Sequence, residues 1–290
     1  MITPSPQSLA IAALVGLLSG THAAIWGMYK DAIHEGFAAG RFARSMLVGV
    51  AAAVAIQAAL ALAVPGAAAL VTLFGLAYAA ERGLVEVWKT FVREEDQSKY
   101  FIPMQFSVRG VPVTRRGPRL AAGAAYVAVV ALGLLAVAGL DGETPAPPTP
   151  ARAALVGLAV GLVVAIGGAW KDAPKEGFDA LKFFRSPAMT VLFTLLLYRL
   201  TDSYLTATVA AIGYERATAE TYKTFFFPAK PRGKFTGKPV LHPEMLARRR
   251  RFVPAYVAIC AAVIASGALA LRDAVPGDRG APARVAGVRP

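Results

Sequence analysis

Three long stretches of the chain carry no Lys, Arg, Asp or Glu: Ile2–Met28, Ser45–Ala80 and Leu120–Leu140. A helix needs about 20 predominantly apolar residues to cross a hydrocarbon layer about 30 Å thick, and the middle stretch can nearly do so twice. Because a lipid-exposed backbone has to satisfy its own hydrogen bonds, helix is the expected state of these stretches. The sequence therefore predicts an all-α polytopic membrane protein and excludes a large soluble core.

Hydropathy predicts about eight transmembrane helices, separated by turn-forming or charged segments. Pro-rich residues 141–151 predict an external linker, and the Pro-, Gly- and Arg-rich residues 272–290 predict a disordered C-terminal tail. The linker divides the chain into two predicted four-helix membrane units, at 1–140 and 152–271. The eight predicted spans are 8–28, 46–64, 66–86, 120–140, 152–170, 187–201, 203–224 and 252–271.

The formal net charge of +13 comes from basic residues in the segments between apolar spans. The loops after spans one, three, five and seven, together with the ends of spans three and seven that lead into them, hold 25 of the 31 Lys and Arg residues. The positive-inside rule places these loops in the cytoplasm and both termini outside. Anionic membrane lipids are the expected partners, and nucleic acid is not. The high Ala, Gly and Arg content suggests a bacterial inner membrane, while the oligomeric state stays open.

The most informative pattern is an internal repeat. Residues 30–45 match residues 171–186 at ten of 16 positions, with a constant offset of 141. Residues 81–91 (ERGLVEVWKTF) match residues 215–225 (ERATAETYKTF), and Gly110-Val-Pro-Val113 echoes Gly237-Lys-Pro-Val240. The order is kept, and four spans separate the copies. This predicts tandem, parallel four-helix repeats related by a pseudo-twofold axis along the membrane normal.

The first repeated motif is Asp-x-x-x-Glu, as Asp31/Glu35 and Asp172/Glu176. Carboxylates one helical turn apart share a face, and two such pairs could hold Mg²⁺ against phosphate oxygens as catalytic and metal-binding residues. The alternative is capping, with Asp172 before Ala173-Pro174 at a helix start and Glu176 in its first turn.

The second repeated motif is Phe-x-Arg-Ser, with Arg44 and Arg185 at predicted headgroup depth. Their guanidinium groups could bind a substrate phosphate bidentately, or could only anchor the protein to lipid phosphate. Positive charge is added to the same surfaces by Lys30, Lys171, Arg41 and Lys182. Ser186-Pro187 predicts an N-cap followed by the first residue of span six, and Ser45 could cap span two in the same way.

The third repeated motif places charges within predicted spans. Glu81 lies about 22 Å along span three, still inside the cytoplasmic leaflet, and Glu215 lies at a similar depth in span seven. Charged groups at that depth usually face protein or a water-filled cavity. Glu81 and Glu215 are therefore expected to line such a cavity. Ion-pair ladders between residues four apart, Arg82/Glu86 and Arg216/Glu220, are the alternative. Further predicted substrate-binding residues are Arg82, Lys89, Arg216 and Lys223.

The layout of these motifs resembles that of the intramembrane aromatic prenyltransferases. Both have duplicated Asp-containing motifs at cytoplasmic helix ends, four spans apart, each followed by an Arg-containing stretch. The resemblance lies in the layout rather than in the motif strings, since Lys30 or Lys171 stands where that family has Asn. It implies a Mg²⁺-bound prenyl diphosphate, with Asp31, Glu35, Asp172 and Glu176 on the metal and Arg44 and Arg185 near the diphosphate.

Three functions are compatible with the sequence. The favoured one is a membrane-embedded protein that acts on a lipid-linked phosphate or diphosphate at the cytoplasmic leaflet. A transporter or channel that uses buried Glu81 and Glu215 is the first alternative. A non-catalytic lipid-binding or scaffold protein that docks through its basic loops is the second.

Overall fold

The computed structural model describes residues 4–142, 149–226 and 233–274. Within these ranges the chain is helical except for loops and a two-residue antiparallel hairpin, β1 (Ser107–Val108) with β2 (Val111–Pro112). Parts of the predicted linker (143–148) and most of the predicted tail (275–290) lie outside the described residues. The helices are α1 (Pro6–Glu35), α2 (Ala39–Leu60), α3 (Ala67–Val87), α4 (Arg116–Gly142), α5 (Pro150–Glu176), α6 (Ala180–Leu197), α7 (Tyr204–Thr221), the short α8 (Met245–Arg248) and α9 (Val253–Asp273).

Seven of the described helices are long and apolar enough to cross a membrane, as expected for a multi-pass membrane protein. Helix α7 occupies the place of the seventh predicted span but is not among the seven. It lies among other helices instead, with 11 of its 18 residues buried, including Thr206, Thr208 and Glu215. A helix surrounded by protein does not have to meet lipid, which explains its lower hydropathy.

Three cap assignments made from the sequence are wrong. Asp172 and Glu176 lie in the last turn of α5 rather than at a helix start, and Pro174 lies within that turn. Ser45 and Ser186 lie inside α2 and α6, which begin at Ala39 and Ala180. The helices extend beyond the apolar runs, so the charged motifs are parts of helices rather than boundaries.

Helices α1 and α5 both end at a glycine. The N–H groups of Gly36 and Gly177 donate to the carbonyl oxygens of Ala32 and Ala173, each at 2.9 Å. Both glycines have positive φ, 71° and 81°, a conformation that side chains disfavour. The chain therefore turns sharply at these points and leads directly into α2 and α6.

Small residues let the central helices approach closely. Helix α1 packs against α2, α5 against α6, and α3 against α7. A Cβ atom added to Gly20 would lie 2.3 Å from the Ser45 carbonyl oxygen, and one added to Gly161 would lie 2.6 Å from Pro187 Cα. Where α3 crosses α7, a Cβ atom on Gly213 would lie 2.0 Å from the Gly75 carbonyl oxygen. Such contacts supply the van der Waals packing that holds helices together in lipid.

The two outer helices each pack against an inner helix of the other half. Helix α4 contacts α7, and α9 contacts α3. Asp141, expected in the linker, lies in the last turn of α4 and caps the start of α7. It accepts hydrogen bonds from the Ser203 hydroxyl at 2.7 Å and the Tyr204 N–H at 2.6 Å. A carboxylate is favoured at a helix N-terminus, so this contact fixes α4 to α7.

We predict that Gly213→Ala destabilises the protein by about 1–3 kcal/mol, because the added methyl group overpacks the α3–α7 crossing. Thermal unfolding in detergent, followed by circular dichroism, measures the effect. The matched control is Gly133→Ala on α4, where an added Cβ meets nothing within 4 Å. Equal unfolding midpoints for the two variants would contradict the close crossing.

Candidate functional site

The C-terminal ends of α1, α3, α5 and α7, with the residues that follow them, meet at one end of the bundle, here named the charged end. The loop after α3 contacts the end of α5, where the Trp170 indole N–H donates to the Ser107 carbonyl oxygen at 3.1 Å. The loop after α7 contacts the end of α1, where the N–H groups of Leu241 and His242 donate to the Ile33 carbonyl oxygen. Each loop thus covers the first helix of the other half.

The two loops also contact one another. The Phe101 N–H donates to the Lys234 carbonyl oxygen at 2.7 Å, and Lys238 Nζ donates to the Ser98 carbonyl oxygen at 3.0 Å. Gly110 and Gly237, from the echoed Gly-x-Pro-Val sequences, both have positive φ, 76° and 69°. The charged end is therefore one continuous polar layer rather than two separate surfaces.

Two ion pairs cross between the halves at equivalent positions of the repeated motifs. Lys30 Nζ lies 3.9 Å from Glu220 Oε2, and Lys171 Nζ lies 3.8 Å from Glu86 Oε2. Both α3 and α7 continue into a π-helical turn just beyond these glutamates, Trp88–Val92 and Tyr222–Phe226. Turns of this rare kind occur often at functional sites.

The first Asp-x-x-x-Glu pair is enclosed by the loops. Lys234 Nζ lies 2.9 Å from Asp31 Oδ2 and 3.7 Å from Glu35 Oε2. Arg41 forms an ion pair with Glu35, and the Tyr100 hydroxyl lies 3.0 Å from Glu35 Oε1. Carboxylates are disfavoured at a helix C-terminus, so cations from other segments are needed to hold them there.

Tyr100 acts as a hydrogen-bond donor at this position. Burial raises the pKa of its hydroxyl well above the ordinary value, and the neighbouring carboxylates of Glu35 and Glu95 raise that pKa further. The phenol is therefore protonated at neutral pH and lies within 3.0 Å of both acceptors. The spacing of sequence motifs gave no signal for Tyr100 or Lys234, because both reach the site from distant loops.

The second Asp-x-x-x-Glu pair is more open and is held by one lysine. Lys182 Nζ lies 2.7 Å from both Asp172 Oδ2 and Glu176 Oε2. In each half an ammonium group thus bridges the two carboxylates that were predicted to hold Mg²⁺. The described residues contain no group of three or more His, Cys, Asp or Glu side chains suited to a metal ion. Each pair is therefore neutralised by a lysine in this structure, and the assignment of the four carboxylates to Mg²⁺ stays a prediction.

The deeper carboxylates, Glu81 and Glu215, are both fully buried. Arg82 donates two hydrogen bonds to Glu81, and its guanidinium group lies 5.2 Å from the ring centre of Trp26. The predicted Arg82/Glu86 pair is therefore wrong, because Arg82 neutralises the buried Glu81 rather than the half-exposed Glu86. The equivalent pair in the second half, Arg216 with Glu220 at 3.3 Å, is confirmed.

Glu215 has a different partner from Glu81. Its Oε1 accepts a hydrogen bond from the Ser186 hydroxyl on α6 at 2.7 Å. Its Oε2 is buried and has no hydrogen-bond partner in the described chain. The same motif thus has its carboxylate bound by a guanidinium group in the first half and by a hydroxyl in the second.

A cavity of about 70 Å³ lies between α5 and α6 at the charged end. Four basic side chains line it, together with Asp172 and Ser186, and the buried Nε of Arg185 has no hydrogen-bond partner. In the first half the equivalent Arg44 lies over the Trp88 ring, with its guanidinium carbon 5.1 Å from the ring centre. The four basic lining residues are Lys182, Arg185, Arg216 and Lys223. The sequence placed Lys182 only as additional positive charge on the surface of Arg185, and Ser186 only as a cap.

No protein-family model, curated protein or solved structure matches the chain. The resemblance to the aromatic prenyltransferases therefore stays a prediction. The function has to be argued from the charged end itself.

We predict that Glu220→Gln destabilises the protein by about 1.5–3 kcal/mol, because it removes the counter-charge that three partly buried cations share. Lys30, Arg216 and Lys223 all lie within 3.9 Å of this carboxylate. The control is Glu244→Gln, whose side chain is 64% exposed and which, among the charged side chains of the described ranges, pairs with His242 alone. Its expected effect is below about 0.5 kcal/mol. Equal shifts of the two variants in the midpoint of thermal unfolding would show that Glu220 does not neutralise these three cations.

Proposed function

We propose that the protein binds a lipid-linked phosphate or diphosphate in the cavity between α5 and α6 and acts on the phosphate group. The observation that carries this proposal is the lining of the cavity by four basic side chains at the end of membrane-spanning helices. Ammonium and guanidinium groups form strong, charge-assisted hydrogen bonds to phosphate oxygens. Apolar helices beside the cavity suit the hydrocarbon part of the same ligand.

Arg185 is the basic residue with most capacity left for a ligand. Lys182 is engaged by Asp172 and Glu176, and Arg216 and Lys223 are both engaged by Glu220. Arg185 forms no ion pair with a carboxylate in the described ranges, and its Nε is unpartnered. An anion entering the cavity would supply the missing acceptor.

The proposed orientation follows from the distribution of basic residues. The charged end lies in the cytoplasm, both termini lie outside, and the membrane is the bacterial inner membrane. The ligand then approaches from the cytoplasmic leaflet. The basic loops around the cavity are attracted to the anionic lipid headgroups of that leaflet. The four-helix halves are proposed to have arisen by duplication, supported by the matched cross-half pairs of Lys30 with Glu220 and Lys171 with Glu86.

Catalysis would rest on electrostatics. A phosphoryl group gains negative charge on its leaving oxygen during transfer, and fixed cations in a site that excludes water stabilise that charge. Arg185 is the principal candidate for this role, and Lys223 and Arg216 contribute from the π-helical end of α7. The carboxylates of Asp172 and Glu176 act in this account by holding Lys182 at the rim.

Transport is a second candidate, favoured by one observation. Glu215 is fully buried on a helix whose interior face carries hydroxyl groups, and the hydroxyl of Thr208 has no hydrogen-bond partner in the described part of the chain. Ionisable groups in such positions are common on ion and proton pathways. Ion flux into proteoliposomes that is abolished by Glu215→Gln, without any turnover of phosphate, would favour transport over the enzyme.

We predict that Arg185→Gln weakens binding of farnesyl diphosphate or phosphatidic acid about 10- to 100-fold, the loss of one charge-assisted hydrogen bond worth about 1.5–3 kcal/mol. Stabilisation of the purified protein in detergent, titrated with each lipid, measures the affinity. The matched control is Arg44→Gln, which removes the equivalent arginine from the half where it lies over Trp88. Equal affinities for both variants and the wild type would contradict the location of the site.

A further inference from the structure

We propose that Ser186 is the nucleophile of this cavity and that Glu215 is its general base. This inference rests on the proposed function and names the reaction: transfer of a phosphoryl group from a lipid diphosphate to serine, followed by hydrolysis.

Ser186 combines access to the cavity with a hydrogen bond to a base. It lines the cavity beside Arg185, and 8% of its surface is exposed. Its hydroxyl donates to Glu215 Oε1 at 2.7 Å, within the range expected for a nucleophile and its base. The Thr190 hydroxyl donates to the Ser186 carbonyl oxygen at 2.8 Å, which fixes the backbone at this point of α6. The serine hydroxyl is thus held between a carboxylate and the basic side chains.

Glu215 is available to accept a proton, whereas its first-half counterpart is not. Arg82 donates one hydrogen bond to each oxygen of Glu81 and so engages both oxygens of that carboxylate. Glu215 forms no ion pair with a basic side chain in the described ranges, and its Oε2 accepts no hydrogen bond there. A carboxylate that keeps free lone pairs in a buried site can serve as the acceptor for the Ser186 proton.

The proposed reaction needs only water beside the lipid diphosphate. The Ser186 Oγ attacks the terminal phosphorus of the diphosphate. As the Oγ–phosphorus bond forms, the bond between that phosphorus and the bridging oxygen breaks, and its electron pair leaves with the lipid monophosphate. The serine proton moves to Glu215, and the basic lining residues stabilise the charge on the leaving oxygen. Water then attacks the phosphorus of the phosphoserine, Glu215 returns its proton to the Ser186 oxygen as that oxygen–phosphorus bond breaks, and inorganic phosphate leaves. The proton that the water gives up passes to Glu215 and from there to solvent.

The first half supplies a matched control inside the same molecule. Ser45 is the equivalent serine and is buried, with 4% exposure, but the carboxylate of Glu81 is already bound by Arg82. Phosphoserine is therefore expected at position 186 and not at position 45.

The test uses the full-length wild type, Ser186→Ala, Glu215→Gln and Ser45→Ala in lipid nanodiscs with farnesyl diphosphate as the probe. Samples are quenched in acid, phosphoserine is located by mass spectrometry of peptides, and release of inorganic phosphate is measured in parallel. The wild type and Ser45→Ala are expected to label at 186 and to release phosphate. Ser186→Ala should do neither, and Glu215→Gln should slow both by about 100-fold or more. Because glutamine still accepts the Ser186 hydrogen bond, this second variant keeps the helix contact.

Binding measured on the same samples separates the two proposals. If farnesyl diphosphate binds the wild type but neither phosphoserine nor Ser186-dependent release of phosphate is found, the nucleophile assignment is overturned and the binding site stands. If neither farnesyl diphosphate nor phosphatidic acid stabilises the wild type, the proposed function itself fails.

Discussion

The rest of the structure depends on the neutralisation of carboxylates at the C-terminal ends of membrane-spanning helices. Asp31, Glu35 and Glu220 lie where the helix dipole is negative and where water is partly excluded, so each needs a cation. Part of this positive charge comes from distant segments of the chain: Lys234 reaches α1, and Lys30 reaches the end of α7. Ion pairs between a carboxylate of one half and a lysine of the other consequently join the halves at the charged end. Elsewhere they are joined by close packing of α3 on α7 and by the Asp141 cap.

Much of the helical architecture could be predicted from the sequence, because uncharged stretches of this length have few other stable states in lipid. The buried position of α7 followed in part from Glu215, because a charge at that depth usually faces protein. The helix ends did not follow, since hydropathy marks where a span leaves hydrocarbon and not where the helix stops. The Asp172 motif lies inside α5 for that reason, and the backbone turns only at Gly177.

The candidate site could be predicted only in part. The repeated motifs identified Arg185, Arg216 and Lys223, because charges at matched depths share an end of the bundle. Sequence periodicity could not show that Ser186 contacts Glu215 across two helices, or that a lysine bridges each Asp-x-x-x-Glu pair. Nor could it separate the halves: the same Glu-Arg dipeptide is an ion pair at 81–82, whereas at 215–216 the arginine pairs with Glu220. This difference leaves Glu215, and not Glu81, without a basic partner in the described ranges.

The most direct test of the shared charged end is to divide the chain within residues 143–148 and to co-express the two halves with an affinity tag on the second. The account predicts that the untagged first half is recovered in equal amount in mild detergent, because α3 with α7, Lys30 with Glu220 and the two crossed loops all join one half to the other. Recovery of the tagged half alone, folded and stable, would contradict it and would show that each four-helix unit neutralises its own charges.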